Sequence, residues 1–228
     1  MTQPAPSNLP PNFIADLMRS RYTCKAFDRN RVIEPVLFSQ IEQVLRYAAS
    51  SVNSQPWHYV IATSDAGKNK IAQSTQGPTA YNESKILNAS HSIVFCRPTN
   101  LASERAELIL QQEIADGRHK DEAAIATARA SRNYYFNHHS ETLKDGAEWM
   151  TKQVYLSFGM VMMAAASLGI DSCPMEGFDS KICDQVLGLS ERGLTSVLLL
   201  ALGYRAANES NGKTPKSRLG LDKIITRI

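Results

Sequence analysis

A chain of 228 residues is long enough to bury a sizeable core and short enough to form one domain. Its hydrophobic share of 43% and charged share of 21% are those of an ordinary globular protein, which argues against a disordered or fibrous class. A formal net charge of only +3 gives no broad basic field, so nucleic-acid binding is not indicated.

The first residues, MTQPAPSNLPPN, hold four prolines and read as an irregular arm over residues 1–11, ahead of a single domain over 12–228. They contain neither a basic segment nor an apolar stretch, so a secretory signal is not expected. Cys24, Cys96, Cys173 and Cys183 form no C-x-x-C pair and lack metal-ligand spacing. They are expected to be reduced, buried small hydrophobes in a cytoplasmic protein without a metal.

Asn12 to Arg21 is predicted to be a helix, with Phe13, Ile14, Leu17 and Met18 on one face. A second helix should start near Glu34-Pro35 and run to about Ala49, since proline is tolerated in a first turn. Trp57 to Thr63 has strand character, and Ser64-Asp65 can cap a helix over Ala66 to Gln73. A short helix over Asn82 to Asn88 leads into a strand over Ser92 to Cys96.

Ala102 to His138 is polar, alanine-rich and helical with a break at Asp116-Gly117. It suggests a protruding helical pair over about 100–140 and a poor core. Lys144 to Leu168 is the strongest helix candidate and should stop at Gly169; its Gly159 and Ala164–Ala166 suit close helix approach. The long apolar stretch within it falls short of a membrane span. A strand near Asp171–Pro174, a helix near Asp179–Leu187 and an apolar strand over Thr195–Leu202 follow. The polar tail after Asn208 ends in Lys223–Ile228, a candidate last strand. These elements specify an α+β or α/β protein with a small sheet and many helices.

No G-x-G, G-x-S-x-G or H-E-x-x-H occurs, and Gly212-Lys213-Thr214 fails as a phosphate loop because Ala207 stands where its first glycine belongs. The adjacent His138-His139 reads as a solvated helix end. Five other segments carry chemistry. In Arg21-Tyr-Thr-Cys-Lys25 an extended backbone would turn Arg21, Thr23 and Lys25 to one side. Lys216-Ser-Arg218 again alternates cations, and arginine's planar fork suits a phosphate monoester. Ser50-Ser-Val-Asn-Ser-Gln55 packs short donors and acceptors between a helix and a strand. Tyr81-Asn82-Glu83 and Met175-Glu176-Gly177-Phe178 complete the set, with Gly177 permitting close backbone approach. Taken singly, each also fits a solvated charge cluster or a plain turn.

Together they resemble, in order, the motifs of the nitroreductase family, in its branch of oxygen-insensitive NAD(P)H nitroreductases and dihydropteridine or flavin reductases. The resembling stretches are R-x-T-x-K-A-F at Arg21–Phe27, S-S-x-N-S-Q-P-W-H at Ser50–His58 and Y-N-E at Tyr81–Glu83. To these add A-E-W-M-x-K-Q-V-Y at Ala147–Tyr155, P-M-E-G-F at Pro174–Phe178 and P-K-S-R-L at Pro215–Leu219.

The resemblance implies an α+β fold, a mostly antiparallel sheet surrounded by helices, and an intertwined homodimer with FMN at the interface. It implies that Arg21, Lys216 and Arg218 hold the FMN phosphate with Thr23 nearby, and that Lys25 and Asn82 meet the ring's pyrimidine edge. Ser50, Ser51 and Asn53 would approach from the partner subunit, and the backbone of Glu176 and Gly177 would lie against the flavin's N5 and O4 edge. Lys85 and Arg118 match positions for the nicotinamide nucleotide, NADH or NADPH. Val52, Thr79, Tyr81 and Tyr135 would border the substrate pocket, roofed by the segment over about 100–140. The implied activity is FMN-dependent transfer of electrons from NAD(P)H to nitroaromatics, quinones or related small aromatic acceptors by a ping-pong scheme, with no protein nucleophile. A flavin, quinone or dihydropteridine reductase and a non-catalytic flavin-binding protein are the alternatives. Val52 stands where close relatives have threonine, Ala49 where they often have proline, Thr79 where an aromatic is common, and Tyr135 where phenylalanine is common. Acceptor choice is therefore the property that transfers least.

Overall fold

The computed structural model describes residues 10–228. The proline-rich arm expected over residues 1–11 lies almost entirely outside the described residues. Helices α1 (Phe13–Ser20), α2 (Pro35–Tyr47), α3 (Asp65–Ala72), α4 (Glu83–Asn88), α5 (Ser103–Ala115), α6 (Glu122–Asn137), α7 (Gly146–Ser167), α8 (Ser180–Leu187) and α9 (Leu221–Ile224) surround one sheet. Strands β1 (His58–Ala62), β2 (His91–Pro98), β3 (Asp171–Met175) and β4 (Leu194–Gly203) pair in the order β1-β2-β4-β3, every neighbour antiparallel. The fold is α+β.

Central strands buried on both faces must send alternate side chains into two separate cores. On β2, Ile93 and Phe95 face the core built by α2 and α7, whereas Val94 and Cys96 face the one that includes Ile71 of α3 and Cys183 of α8. On β4, Leu198, Leu200 and Leu202 join the first core, Leu199 and Ala201 the second. This two-sided demand is why β4 reads as an unbroken apolar run. Helix α7 buries Met150, Val154, Phe158, Val161 and Ala165, a stripe of helical period.

Local chemistry sets the ends of several elements. The Ser64 side chain accepts from the Gly67 N–H at 3.2 Å and caps α3, while Asp179 caps α8 through the N–H groups of Lys181 and Ile182. Gly169 adopts φ +69° after α7, and the Ile170 N–H reaches back to the Ala165 carbonyl at 2.8 Å. The helix stops there for want of any other residue that takes this conformation cheaply.

Four expectations need correcting. Lys223–Ile228 is not a strand: Leu221–Ile224 forms one helical turn, and the exposed remainder pairs with no sheet edge among the described residues. The segment after Ala102 is not without a core, since Ala106 and Phe136 bury against Trp149 and Met150 of α7. Nor is His139 a solvated helix end; its ring stacks on Trp149 at 4.6 Å and its Nδ1 meets Asp145 at 2.7 Å. Gly159 meets nothing within 4 Å of where a Cβ would lie, so no close helix approach occurs there among the described residues.

Candidate functional site

The four residues Arg21, Thr23, Lys216 and Arg218 line one cleft of about 430 Å³, though the two pairs lie far apart in sequence. No aspartate or glutamate lines it. Among the described residues three of its four cations, Arg21, Lys216 and Arg218, make no ion pair, and the fourth, Arg19, has Asp16 at 2.8 Å. Burial, then Arg218, holds the Arg21 guanidinium below its usual range, and its Nη1 is buried without a hydrogen-bond partner. Burial, then Arg21 and Arg218, does the same to the Lys216 ammonium. Like charges gathered around a guanidinium nitrogen that finds no partner among the described residues suit a multiply charged anion.

Polar contacts invisible in the sequence draw the two segments together. Lys216 donates to the carbonyls of Met18, at 2.7 Å, and Arg21, tying the tail to the end of α1. Asn211 Nδ2 donates to the Thr23 carbonyl at 2.7 Å. Buried Glu209 accepts the main-chain N–H of Lys25 at 3.1 Å, of Asn211 at 3.1 Å and of Gly212 at 3.0 Å. Burial alone would push its carboxyl up, but these hydrogen bonds outweigh that and hold it below the usual range. Glu209 and Asn211 had no motif to mark them. They are an acid and an amide in a polar loop, recognisable only through their partners.

Lys25 leads from this cleft to a second cluster. Lys85 and Lys25 both lie within electrostatic reach of Cys173, whose thiol burial pushes up and the two ammonium groups draw back. Lys85 is buried, its ammonium lowered by that burial, and donates to Asn82 Oδ1 at 2.7 Å; Asn82 Nδ2 in turn donates to the Gly177 carbonyl at 2.8 Å. Asn82 and Lys85 therefore spend their polar atoms on fixing Gly177, and Lys85 faces inward. Lys85 also lies 4.7 Å from the centre of the Tyr81 ring. A Cβ on Gly177 would come within 2.6 Å of the Tyr81 hydroxyl and 2.9 Å of Asn82 Nδ2, so glycine is required first by these protein neighbours. Glu176 beside it is exposed and accepts from the Tyr155 hydroxyl, which burial, reinforced by that carboxylate, pushes up to about 12.

The third group, Ser50 to Gln55, stands apart from the cleft and contributes none of its lining. Val52, Asn53 and Gln55 have φ of +47°, +53° and +42°. Asparagine tolerates this left-handed region; for a β-branched valine it costs about 1–2 kcal/mol. Ser50 Oγ accepts the Gln55 N–H at 3.0 Å, and Ser51 is exposed. Asn53 is engaged within its own chain: its Nδ2 donates to Glu113 at 2.8 Å and its Oδ1 accepts from Gln55 at 3.1 Å. Arg118 is exposed near Glu113, and His119 is held on Glu113 at 3.1 Å, turned away from solvent. Thr79 bonds back to the Gln76 carbonyl in the turn before Tyr81. Tyr135 is 39% exposed on α6 and packs edge-on against Tyr134.

All four cysteines are free and buried; burial raises the Cys24 thiol to about 12, which removes it as a nucleophile. Among the described residues there is no group of side chains that could hold a metal, and no helix is long and apolar enough to cross a membrane.

The chain is 38% identical over 213 residues to an oxygen-insensitive NAD(P)H nitroreductase of Enterobacter cloacae, covering 93% of this chain and 98% of the relative. It is 30% identical to the major NAD(P)H-flavin oxidoreductase of Aliivibrio fischeri, over 92% and 95% of the two chains. An Exiguobacterium sibiricum protein solved in complex with FMN superposes with a TM-score of 0.79 at 22% identity, covering 94% of this chain and 97% of that one, and shares the fold. The nitroreductase family pattern matches residues 18–204, which takes in the extended segment, the strained turn and the Gly177 loop, and the chain belongs to that family.

Proposed function

We propose that the chain is an FMN-dependent oxidoreductase that takes electrons from NADH or NADPH and reduces nitroaromatic compounds, quinones or related small aromatic acceptors. The observation that carries this reading is the acid-free cleft in which Arg21, Lys216 and Arg218 converge around an unpartnered buried guanidinium nitrogen. A phosphate monoester fits that donor set. Charge-assisted hydrogen bonds are worth about 1.5–3 kcal/mol each, so three supply about 5–9 kcal/mol before ordering costs. Micromolar affinity needs about 8 kcal/mol, enough to prefer FMN to riboflavin.

FMN, when bound, supplies the two-electron chemistry between nicotinamide and acceptor. The chain's own residues do the rest. Arg21, Lys216 and Arg218 hold the phosphate, with Thr23 beside them. Lys25 offers an ammonium where negative charge develops, stabilising it through an electrostatic contact. Lys85 and Asn82 act through Gly177, whose main chain they hold still beside Glu176.

Ser50, Ser51 and Asn53 sit on a different part of the chain from the cleft, which is what a site completed by a second copy requires. The exposed Ile14 and Met18 of α1, and Leu219, Leu221, Ile224 and Ile228 in the tail, are apolar surface that an intertwined homodimer would cover. Val52, Thr79, Tyr81 and Tyr135 border the acceptor pocket in this reading, and Arg118 lies on the nucleotide side, whereas Lys85, buried on Asn82, serves the site through Gly177. Donor and acceptor take turns in one site, so initial-rate lines with both varied should be parallel. The resemblance to a flavin oxidoreductase keeps free flavin among the acceptors.

An anaerobic absorbance titration of the purified protein tests the reading. A yellow protein bleached by NADH or NADPH, then recoloured by a nitroaromatic or a quinone, is the expected result. A protein that cannot be reconstituted with FMN would overturn it, and a yellow one that neither nucleotide bleaches would reduce it to flavin binding.

A further inference from the structure

Each left-handed residue in the Ser50–Gln55 turn is held by one charged side chain from the α5–α6 hairpin. Arg132 of α6 donates through Nε to the Val52 carbonyl at 3.3 Å. Glu113 of α5 accepts from Asn53 Nδ2 at 2.8 Å, and Arg105 of α5 donates to the carbonyls of Gln55 and, at 3.0 Å, of Trp57. Arg132 and Glu113 are buried and joined at 2.7 Å, so the clamp is one connected network. Burial pushes the Glu113 carboxyl up, yet the hydrogen bonds from Arg132, Asn53 and His119 prevail and keep it ionised. The Val52 side chain packs against the cluster that Ala106 and Phe136 of the same hairpin form with Trp149 and Met150 of α7.

We propose that Glu113, Arg132 and Arg105 are positioning residues that keep the Ser50–Gln55 turn in its strained form, and that through it they set acceptor recognition from the hairpin. Left-handed valine relaxes unless its carbonyl is fixed, because every other allowed region turns that carbonyl elsewhere. The hairpin supplies the fixing groups, so its seating and the presentation of Val52 and Asn53 change together. The acceptor half of the proposal rests on the functional reading above; the clamp itself does not.

The test uses Glu113→Gln, Arg132→Lys, Val52→Gly and the Val52→Gly/Glu113→Gln pair in FMN-reconstituted protein. Hydrogen exchange at the Asn53 and Ser54 amides, which bond to the Ser50 and Ser51 carbonyls, reads the turn directly. Glu113→Gln should speed that exchange about tenfold, the worth of one charge-assisted hydrogen bond. It should raise KM for a quinone acceptor several-fold while kcat and the rate of bleaching by NADH stay near wild type. Arg132→Lys, which keeps the charge, should lie between. Glycine carries no penalty at positive φ, so Val52→Gly should return the Glu113→Gln protein to near wild-type exchange. Unchanged exchange in Glu113→Gln would overturn the clamp, and faster exchange with unchanged KM would overturn its role in acceptor recognition. Failure of Val52→Gly to restore the exchange rate would show that relieved strain is not the cause. If the wild-type protein takes up no FMN, the functional reading and the acceptor half of the proposal fail together, while the exchange pattern of the unloaded protein still decides the clamp.

Discussion

Glu209 accepts a hydrogen bond from the main-chain N–H of Lys25 at 3.1 Å across 184 residues of sequence. The contact gives an acid a constructive part in a cationic site. Simple Coulomb reasoning says that removing a carboxylate near Arg21, Lys216 and Arg218 should strengthen anion binding. The geometry says the opposite, because Glu209 holds the Lys25 segment and the Asn211–Gly212 turn in one place. Glu209→Ala leaves these N–H groups without their acceptor, each worth about 1–3 kcal/mol where buried. We expect FMN affinity to fall about tenfold or more, matching the loss expected of Arg218→Ala from one charged bond at about 1.5–3 kcal/mol. Fluorescence titration of apoprotein with FMN measures both. Tighter binding in Glu209→Ala would show that charge, and not positioning, governs that residue.

Gly177 is confined by two neighbours of unequal freedom. Tyr81 is 64% exposed and can swing its hydroxyl aside, but Asn82 is buried and bonded to the Gly177 carbonyl at 2.8 Å. Gly177→Ala should therefore cost about 1–3 kcal/mol through overpacking against Asn82. A double-mutant cycle separates the two, since Asn82→Ala should absorb most of the added methyl and Tyr81→Phe little of it. Equal relief from both partners in urea denaturation would contradict the assignment.

His91 makes folding sensitive to mild acid. Its ring stacks on Phe38 with centroids 3.7 Å apart, is 6% exposed, and shares a hydrogen bond with Ser90 at 2.9 Å. Burial, and secondarily Lys68, lowers its pKa from 6.5 to about 4. The unfolded chain thus takes up a proton near pH 6.5 that the folded chain refuses until about pH 4, and stability drops across that window as pH falls. Glu113 and Glu209, both held below 4.5, add their losses at lower pH as the folded protein is finally protonated. Urea midpoints at several pH values should fall between pH 6.5 and 4, and His91→Phe should flatten that decline. A slope unchanged by the substitution would assign the sensitivity elsewhere.

Much of the architecture was legible because it depends on neighbours close in sequence. Alternation and apolar runs marked the strands, helical spacing marked α7, and Ser64, Asp179 and Gly169 marked where helices begin or end. The alternation of cations in Arg21–Lys25 and Lys216–Arg218 was legible for the same reason, since one side of an extended backbone presents every second residue, and the resemblance made of it an expected phosphate site. What those residues touch was decided by the tertiary structure. Lys85, matched to the nicotinamide nucleotide by resemblance, is buried on Asn82; Asn53, expected to reach the flavin from the partner subunit, is held by Glu113; the tail, a candidate last strand, forms one helical turn and joins no sheet edge among the described residues. A buried polar group must find its partner wherever the folded chain brings one, and sequence spacing carries no record of that distance. The amino-acid sequence alone thus determined the element order and the chemistry of the charged segments, whereas convergence in space determined which of their polar atoms are left free to meet a ligand.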